Sequence, residues 1–116
     1  MFRPPLITPI LAALLSFALG CTAGSEVSRR LGARCEAHDQ CDDLCLADPE
    51  FPDGFCSVSC NFDDDCPARS ACVDHGEGVC LFRCFEPTDC DFLGPGWQCA
   101  VAPGLPSGQE SVCTGP

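Results

Sequence analysis

Twelve cysteines divide residues 35–113 into three tandem units that share one spacing pattern. In each unit five residues separate the first two cysteines, and three residues separate one unit from the next. The units span residues 35–56, 60–80 and 84–113, and a small residue followed by an apolar one precedes each fourth cysteine. The cysteines are Cys35, Cys41, Cys45 and Cys56; Cys60, Cys66, Cys72 and Cys80; Cys84, Cys90, Cys99 and Cys113. This recurrence indicates an internal repeat.

Units of this length cannot rely on a hydrophobic core. Residues 21–116 contain no Ile, Tyr, Lys or Met, and their larger apolar residues are scattered. Ordering the backbone costs about 1 to 2 kcal/mol per residue, whereas a disulfide that closes a loop of about 15 residues contributes about 3 kcal/mol. Because Pro and Gly are also dense between the cysteines, we predict a small disulfide-rich fold, mostly loops with short β-hairpins.

The cysteine pairing is not determined by the spacing. Four cysteines in one unit can pair in three ways. We favour first-to-third with second-to-fourth pairing in every unit, because crossed links tie both loops of a unit to one centre. Pairing of first with second and third with fourth, which leaves two independent rings, is the open alternative.

The N-terminal segment has the features of an export signal. Arg3 precedes an apolar stretch of 14 residues, from Leu6 to Leu19. This stretch is shorter than the roughly 20 residues that span a bilayer, and small residues at its end suit a signal peptidase. We therefore predict a signal peptide at residues 1–20, which leaves Cys21 as the thirteenth cysteine.

The run Phe17-Ala18-Leu19-Gly20-Cys21 resembles the bacterial lipobox. The resemblance implies that Cys21 is diacylated and becomes the mature N-terminus, so that the lipid on Cys21 attaches the protein to the membrane. Thr22 stands where an Asp tends to retain such lipoproteins at the inner membrane, which implies the outer membrane or the cell surface of a bacterial envelope. Residues 21–34 are small and polar, and we expect them to form a lipid-anchored flexible linker. The alternative is a secreted protein with a free thiol at Cys21.

The second unit resembles part of a known cysteine-rich family. Its run from Cys60 through Cys66-Pro67 to Cys72, followed by Cys80 and Cys84, is similar to the middle of a whey acidic protein (four-disulfide core) domain. The inhibitory loop of that family lies before the matched stretch, so no protease-binding residue carries over. The resemblance implies serine-protease inhibition as an alternative function, which a screen against serine proteases would test.

Across all three units the spacing resembles the Dickkopf-like and related cysteine-rich modules of bacterial surface lipoproteins. Crosslinks define that group, and its members share no single activity. The resemblance therefore implies an extracytoplasmic binding or structural module.

The charge of the chain restricts its partners. Residues 35–113 carry 16 acidic residues against only Arg69 and Arg83, so binding to nucleic acid is not expected. The run Asp63-Asp64-Asp65 raises the alternative of calcium binding, but it lacks the alternating acids and the glycine of an EF-hand loop. Zinc would need free thiolates, which an oxidising compartment does not provide. We predict no metal and no cofactor, and a solvated acidic surface.

Catalysis has no recognisable basis in this sequence. The two histidines, His38 and His75, stand beside aspartates but in no nucleophile or metalloprotease motif. The third unit instead gathers aromatic residues, and we predict a binding surface for a protein or envelope ligand at Phe82, Phe85, Phe92 and Trp97. The alternative is that these side chains form what core there is. The sequence thus predicts a non-enzymatic cell-envelope lipoprotein.

Overall fold

The structure is a computed structural model that describes residues 27–116. Every unit has the same plan, a short 3-10 helix followed by an antiparallel two-stranded hairpin. The 3-10 helices span His38–Gln40, Asp63–Asp65 and Pro87–Leu93. The strands are β1 (Leu44–Leu46) and β2 (Phe55–Ser57), β3 (Ser70–Val73) and β4 (Val79–Phe82), β5 (Gln98–Pro103) and β6 (Gln109–Thr114). The predicted fold class is confirmed.

All twelve cysteines of the three units form disulfides, with the predicted crossed pairing in every unit. The bonds are Cys35–Cys45, Cys41–Cys56, Cys60–Cys72, Cys66–Cys80, Cys84–Cys99 and Cys90–Cys113. The third and fourth cysteines of a unit are opposite each other across its hairpin, as Cys72 and Cys80 are in the register of β3 and β4. The two bonds of each unit therefore fasten its opening loop to both strands of the hairpin.

The residue before the second cysteine has the same structural task in each unit. Gln40, Asp65 and Asp89 each accept a hydrogen bond from backbone N–H groups at the start of their own unit. An oxygen acceptor at this place satisfies donors that a short turn leaves without partners. The recurring Gln or Asp therefore helps to shape the opening loop.

Two glycines explain the small residue that recurs before each fourth cysteine. Gly54 and Gly78 have φ angles of +82° and +111°, in the region that favours glycine. A Cβ atom at Gly54 would overlap the carbonyl oxygen of Cys35, and one at Gly78 would overlap that of Cys60. In both units the hairpin thus packs directly against the backbone of the first cysteine. In the third unit, Ser111 contacts Cys84 through its carbonyl oxygen, which accepts the Cys84 N–H at 3.0 Å.

Replacing Gly54 tests this close approach. We expect Gly54→Ala to lower the free energy of unfolding by about 3 kcal/mol, because it combines a left-handed backbone with a clash against Cys35. The control is Gly108→Ala, whose φ of +84° carries the same backbone cost but whose Cβ would meet no atom within 4 Å. We expect about 1 kcal/mol there. Denaturant titrations measure both values, and equal losses would contradict the packing argument.

The three units share one hydrophobic core. Phe55 of the first unit is fully buried and contacts both other units: its ring centroid lies 6.0 Å from that of Phe82 and 5.3 Å from that of Trp97. Near the C-terminus, the Gly115 N–H donates to the carbonyl oxygen of Glu50 at 2.6 Å. The first unit therefore packs against the third as well as the second, and the units do not form a row in which only neighbours touch.

A buried hydroxyl joins the first two units. Ser57 lies at the end of β2 with no exposed surface, and its Oγ donates to the carbonyl oxygen of Cys80 at 2.7 Å. The same Oγ accepts the Cys80 N–H at 3.1 Å. The Cys80 N–H also donates to the carbonyl oxygen of Val58 at 3.2 Å, so Ser57 and Val58 together bond the buried backbone of Cys80 and fix β2 beside β4.

The folded domain begins before the boundary predicted from the cysteines. Leu31 is 2% exposed and belongs to the shared core. The Gly32 N–H donates to the carbonyl oxygen of Cys56, and the Cys56 N–H donates to that of Ala33, each at 2.8 Å. The expectation of a flexible linker through residue 34 is therefore wrong for residues 27–34, which pack against the first hairpin. The predicted signal peptide and Cys21 lie outside the described residues.

Candidate functional site

The four aromatic residues predicted to bind a ligand fall into two groups. Phe82 and Trp97 are 4% and 8% exposed and belong to the core, so their assignment to a binding surface is wrong. The first unit covers both side chains: Trp97 packs on Phe51 and Phe55, and Phe82 packs on Phe55. Phe85 and Phe92 are 93% and 44% exposed. These two side chains remain available to a partner.

Two adjoining grooves connect the exposed rings to the N-terminal segment. One groove, of about 330 Å³, is lined by residues that include Arg30, Leu31 and Arg69. The other, of about 370 Å³, is lined by residues that include Arg83, Phe85 and Phe92, and both grooves share Arg69 and Phe82. We call this joined surface the aromatic face, defined by Arg30, Arg69, Arg83, Phe85 and Phe92; the nearly buried ring of Phe82 lies in the lining of both grooves.

Disulfides and short hydrogen bonds hold the exposed rings in place. Phe92 lies in the 3-10 helix Pro87–Leu93 and packs edge-on against Phe82, with ring centroids 5.1 Å apart. The Asp89 carboxylate accepts the Phe85 and Glu86 N–H groups, each at 2.8 Å. The hydrogen bonds from the backbone of Glu86 and then Phe85 lower the pKa of Asp89. Phe85 therefore projects from an ordered turn, although its side chain has almost no contacts of its own.

The charge of the aromatic face differs from that of the whole domain. Residues 21–116 contain five arginines against 17 acidic residues, yet three of the five, Arg30, Arg69 and Arg83, line the two grooves. Asp89 is the single acidic residue among the lining residues, and backbone N–H groups already occupy its carboxylate. The face therefore concentrates cationic groups beside exposed phenyl rings.

Arg83 anchors one side of the aromatic face. Its guanidinium contacts the Asp63 carboxylate at 3.0 Å and the Glu110 carboxylate at 2.8 Å, which ties the second unit to the third. Its backbone N–H donates to the carbonyl oxygen of Arg69 at 2.9 Å, extending the β3–β4 pairing by one residue. Arg69 has a φ of +68°, in the left-handed region that a residue with a Cβ seldom adopts. The two arginines thus lie at the open end of this hairpin.

The acidic run Asp63-Asp64-Asp65 has local structural roles for two of its members. Asp63 Oδ1 accepts the Cys72 N–H at 2.9 Å, while its other oxygen contacts Arg83. Asp65 Oδ2 accepts the Asn61 N–H at 2.9 Å. The sequence interpretation of a purely solvated acidic surface missed these contacts. A side chain that can accept hydrogen bonds recurs before each second cysteine, and this recurrence could have revealed the structural role of Asp65.

His75 joins the loops of the first two hairpins. Its Nε2 lies 3.1 Å from Asp48 Oδ2, and its Nδ1 lies 3.7 Å from Glu50 Oε1. The ring also packs edge-on against Phe51, with centroids 5.2 Å apart. Because the two carboxylates contact different nitrogens of the ring, His75 links the loops of the first two hairpins. No spacing in the sequence relates residues 48 and 75, so sequence reasoning could not find it.

His38 is also engaged within the fold. Its Nδ1 accepts the Cys45 N–H at 2.9 Å, which places the first 3-10 helix beside β1. Neither histidine is brought to the aromatic face. The grooves therefore offer apolar contact and arginine side chains to a partner.

Comparison with known proteins does not place the chain in a family. No protein-family model, curated protein or solved structure matches it. Within residues 27–116, no helix has the length and apolar character needed to cross a membrane. The function of the protein is therefore inferred from its own cysteines, contacts and exposed surfaces.

Proposed function

We propose that this protein is a non-enzymatic, lipid-anchored binding module of a bacterial cell envelope. The observation that carries the proposal is the account of the thirteen cysteines. Twelve pair completely within the three units, which leaves Cys21 as the odd cysteine directly after an apolar segment. A chain with six disulfides is typical of an oxidising compartment, and a lipobox-like cysteine outside the disulfide framework suits acylation.

The side chains that could act in catalysis are already bonded within the fold, which supports a non-enzymatic role. The cysteines of the three units are oxidised, so none of them offers a thiolate nucleophile. His38 accepts a backbone N–H, and His75 lies between two carboxylates that join two loops. These contacts give both histidines structural tasks.

The aromatic face supports the binding role. Phe85 extends from a turn whose backbone Asp89 already holds, so only the side-chain rotamers of Phe85 remain to be ordered when it meets a partner. Aromatic and arginine side chains are the residues that most often dominate binding energy at interfaces. We propose this face as the contact surface for an envelope partner, with nucleic acid disfavoured by the acidity of the domain.

Acylation of Cys21 is the first test. We expect the protein, expressed in a Gram-negative host and purified from its membranes, to begin at a diacylated Cys21 and to contain twelve oxidised cysteines. Intact mass before and after reduction and alkylation measures both features, and incorporation of labelled palmitate measures the acyl chains directly. The control is Cys21→Ser, which should incorporate no palmitate while keeping all six disulfides.

Two results would contradict the proposal. A soluble chain that begins at another residue would remove the lipid anchor. Free thiols among the twelve cysteines would show that their pairing is incomplete, so that Cys21 would no longer be the one cysteine left over. Metal or redox chemistry would then become an interpretation again.

A further inference from the structure

The short connection between Cys21 and the folded domain restricts how the domain can meet the membrane. Six residues, 21–26, precede Val27, where the described domain begins. Fully extended chain covers at most about 3.3 to 3.6 Å per residue, so Val27 stays within about 20 Å of an acylated Cys21. A domain of about 90 residues is roughly 30 Å across. The side of the domain opposite Val27 therefore cannot rest on the lipid surface, and the side that carries Val27 is held close to it, if Cys21 is acylated as proposed above.

The aromatic face lies on that same side. The side chain of Val27 and the ring of Phe82 both lie beside Gly32, within 4 Å of the place where a Cβ atom would stand. Arg30 and Leu31, only three and four residues after Val27, line the groove that shares Phe82 with the second groove. Phe92 also packs against Phe82, with ring centroids 5.1 Å apart. An unbroken set of contacts thus leads from the start of the domain to the exposed phenyl rings.

The side chains of the aromatic face suit a lipid headgroup region. Burying a phenyl ring is favourable because it removes apolar surface from water, and Phe85 has nearly its whole side chain available for burial. Arginine binds phosphate oxygens with charge-assisted hydrogen bonds, and Arg30 forms no ion pair with any residue among 27–116. The acidic residues that dominate the rest of the domain supply only Asp89 to the grooves.

We propose that the aromatic face docks on the bilayer that carries the lipid anchor. Phe85 and Phe92 enter the boundary between headgroups and acyl chains, and Arg30 contacts lipid phosphates. The inference rests on the proposed acylation of Cys21, since the short connection makes docking an intramolecular event with a high effective concentration. The lipid on Cys21 and the aromatic face then act as two membrane-binding elements, and together they hold the domain in one orientation.

A tryptophan placed at Phe85 reports this docking. The full lipoprotein carrying Phe85→Trp is reconstituted into phosphatidylcholine vesicles with and without brominated acyl chains, and the wild type provides the emission of the buried Trp97 for subtraction. An aromatic ring about 5 to 10 Å inside the interface lies near the bromine atoms, so we expect about a twofold loss of the added emission. Because Phe85 is 93% exposed, the substitution leaves the core unchanged, which thermal unfolding verifies.

The matched control is Glu77→Trp. Glu77 is exposed in the loop that connects β3 to β4, whereas Arg69 and Arg83 lie beyond the opposite ends of those strands. A tryptophan there is therefore at the far end of the hairpin from the aromatic face, and we expect its emission to be unaffected by the brominated chains. Equal quenching at both positions would overturn the proposed orientation.

The mass of each reconstituted preparation separates the two proposals. An acylated protein whose Phe85→Trp emission is not quenched would overturn membrane docking while leaving the lipid anchor intact. A protein without acyl groups would overturn both. If the ring stays in water and Phe85→Ala abolishes binding to an envelope protein, the face is a protein-binding site, and docking on the bilayer is likewise overturned.

Discussion

Reduction of the disulfides is expected to unfold the entire domain. The six bonds close loops with sequence separations from 10 to 23 residues. In the chain-entropy model each loop of this size contributes about 3 kcal/mol, and a small domain has only about 5 to 15 kcal/mol of net stability. The summed contribution of the six crosslinks therefore exceeds the net free energy of unfolding of such a domain, and the one shared core cannot replace them.

Circular dichroism in the far ultraviolet, recorded with and without excess reductant, measures this effect. Removing one bond at a time refines it: replacing both Cys90 and Cys113 with Ala should cost about 2 to 5 kcal/mol, and Cys35 with Cys45 a comparable amount. A fully reduced chain that keeps its native spectrum would refute the view that crosslinks dominate the stability.

Trp97→Ala is expected to lower the free energy of unfolding by about 3 to 5 kcal/mol. Trp97 is nearly buried, and its ring contacts Phe51 and Phe55 at centroid distances of 6.3 and 5.3 Å. Removing the indole leaves a cavity where the third unit meets the first. We expect a cooperative loss of stability across the domain, because Phe55 also contacts Phe82 at the end of β4.

The matched variant is Phe85→Ala, in the same unit. Its ring is 93% exposed, so the free energy of unfolding should change by no more than about 0.5 kcal/mol. Urea titrations of both variants make the comparison. An unchanged stability in Trp97→Ala would return Trp97 to the exposed surface that the sequence alone predicted.

The recurrence of acceptors before the second cysteine shows how a visible pattern can be misread. Gln40, Asp65 and Asp89 stand at equivalent positions, and each accepts N–H groups of its own opening loop. Counting charges alone presents Asp65 and Asp89 as members of a solvated acidic surface. Only the path of the backbone shows that these side chains replace missing hydrogen-bond partners in a turn.

The sequence by itself determined the three cysteine units and the disulfide-rich hairpin fold, whereas it left the pairing open and the structure shows the crossed scheme that we favoured. These features are local, because every disulfide closes within one unit and the longest loop spans 23 residues. A repeated spacing of cysteines therefore contains most of the information that the repeated plan requires. The glycines before the fourth cysteines belong to the same local class, since each packs against the first cysteine of its own unit.

Only the tertiary structure decided which aromatic side chains are exposed and where the domain begins. Phe82 and Phe85 are three residues apart, yet one is 4% and the other 93% exposed, because Phe55 of a different unit covers the first and not the second. Leu31 is likewise buried against residues far along the chain. Burial at such positions depends on how the units pack together, and no periodicity within a unit encodes that arrangement.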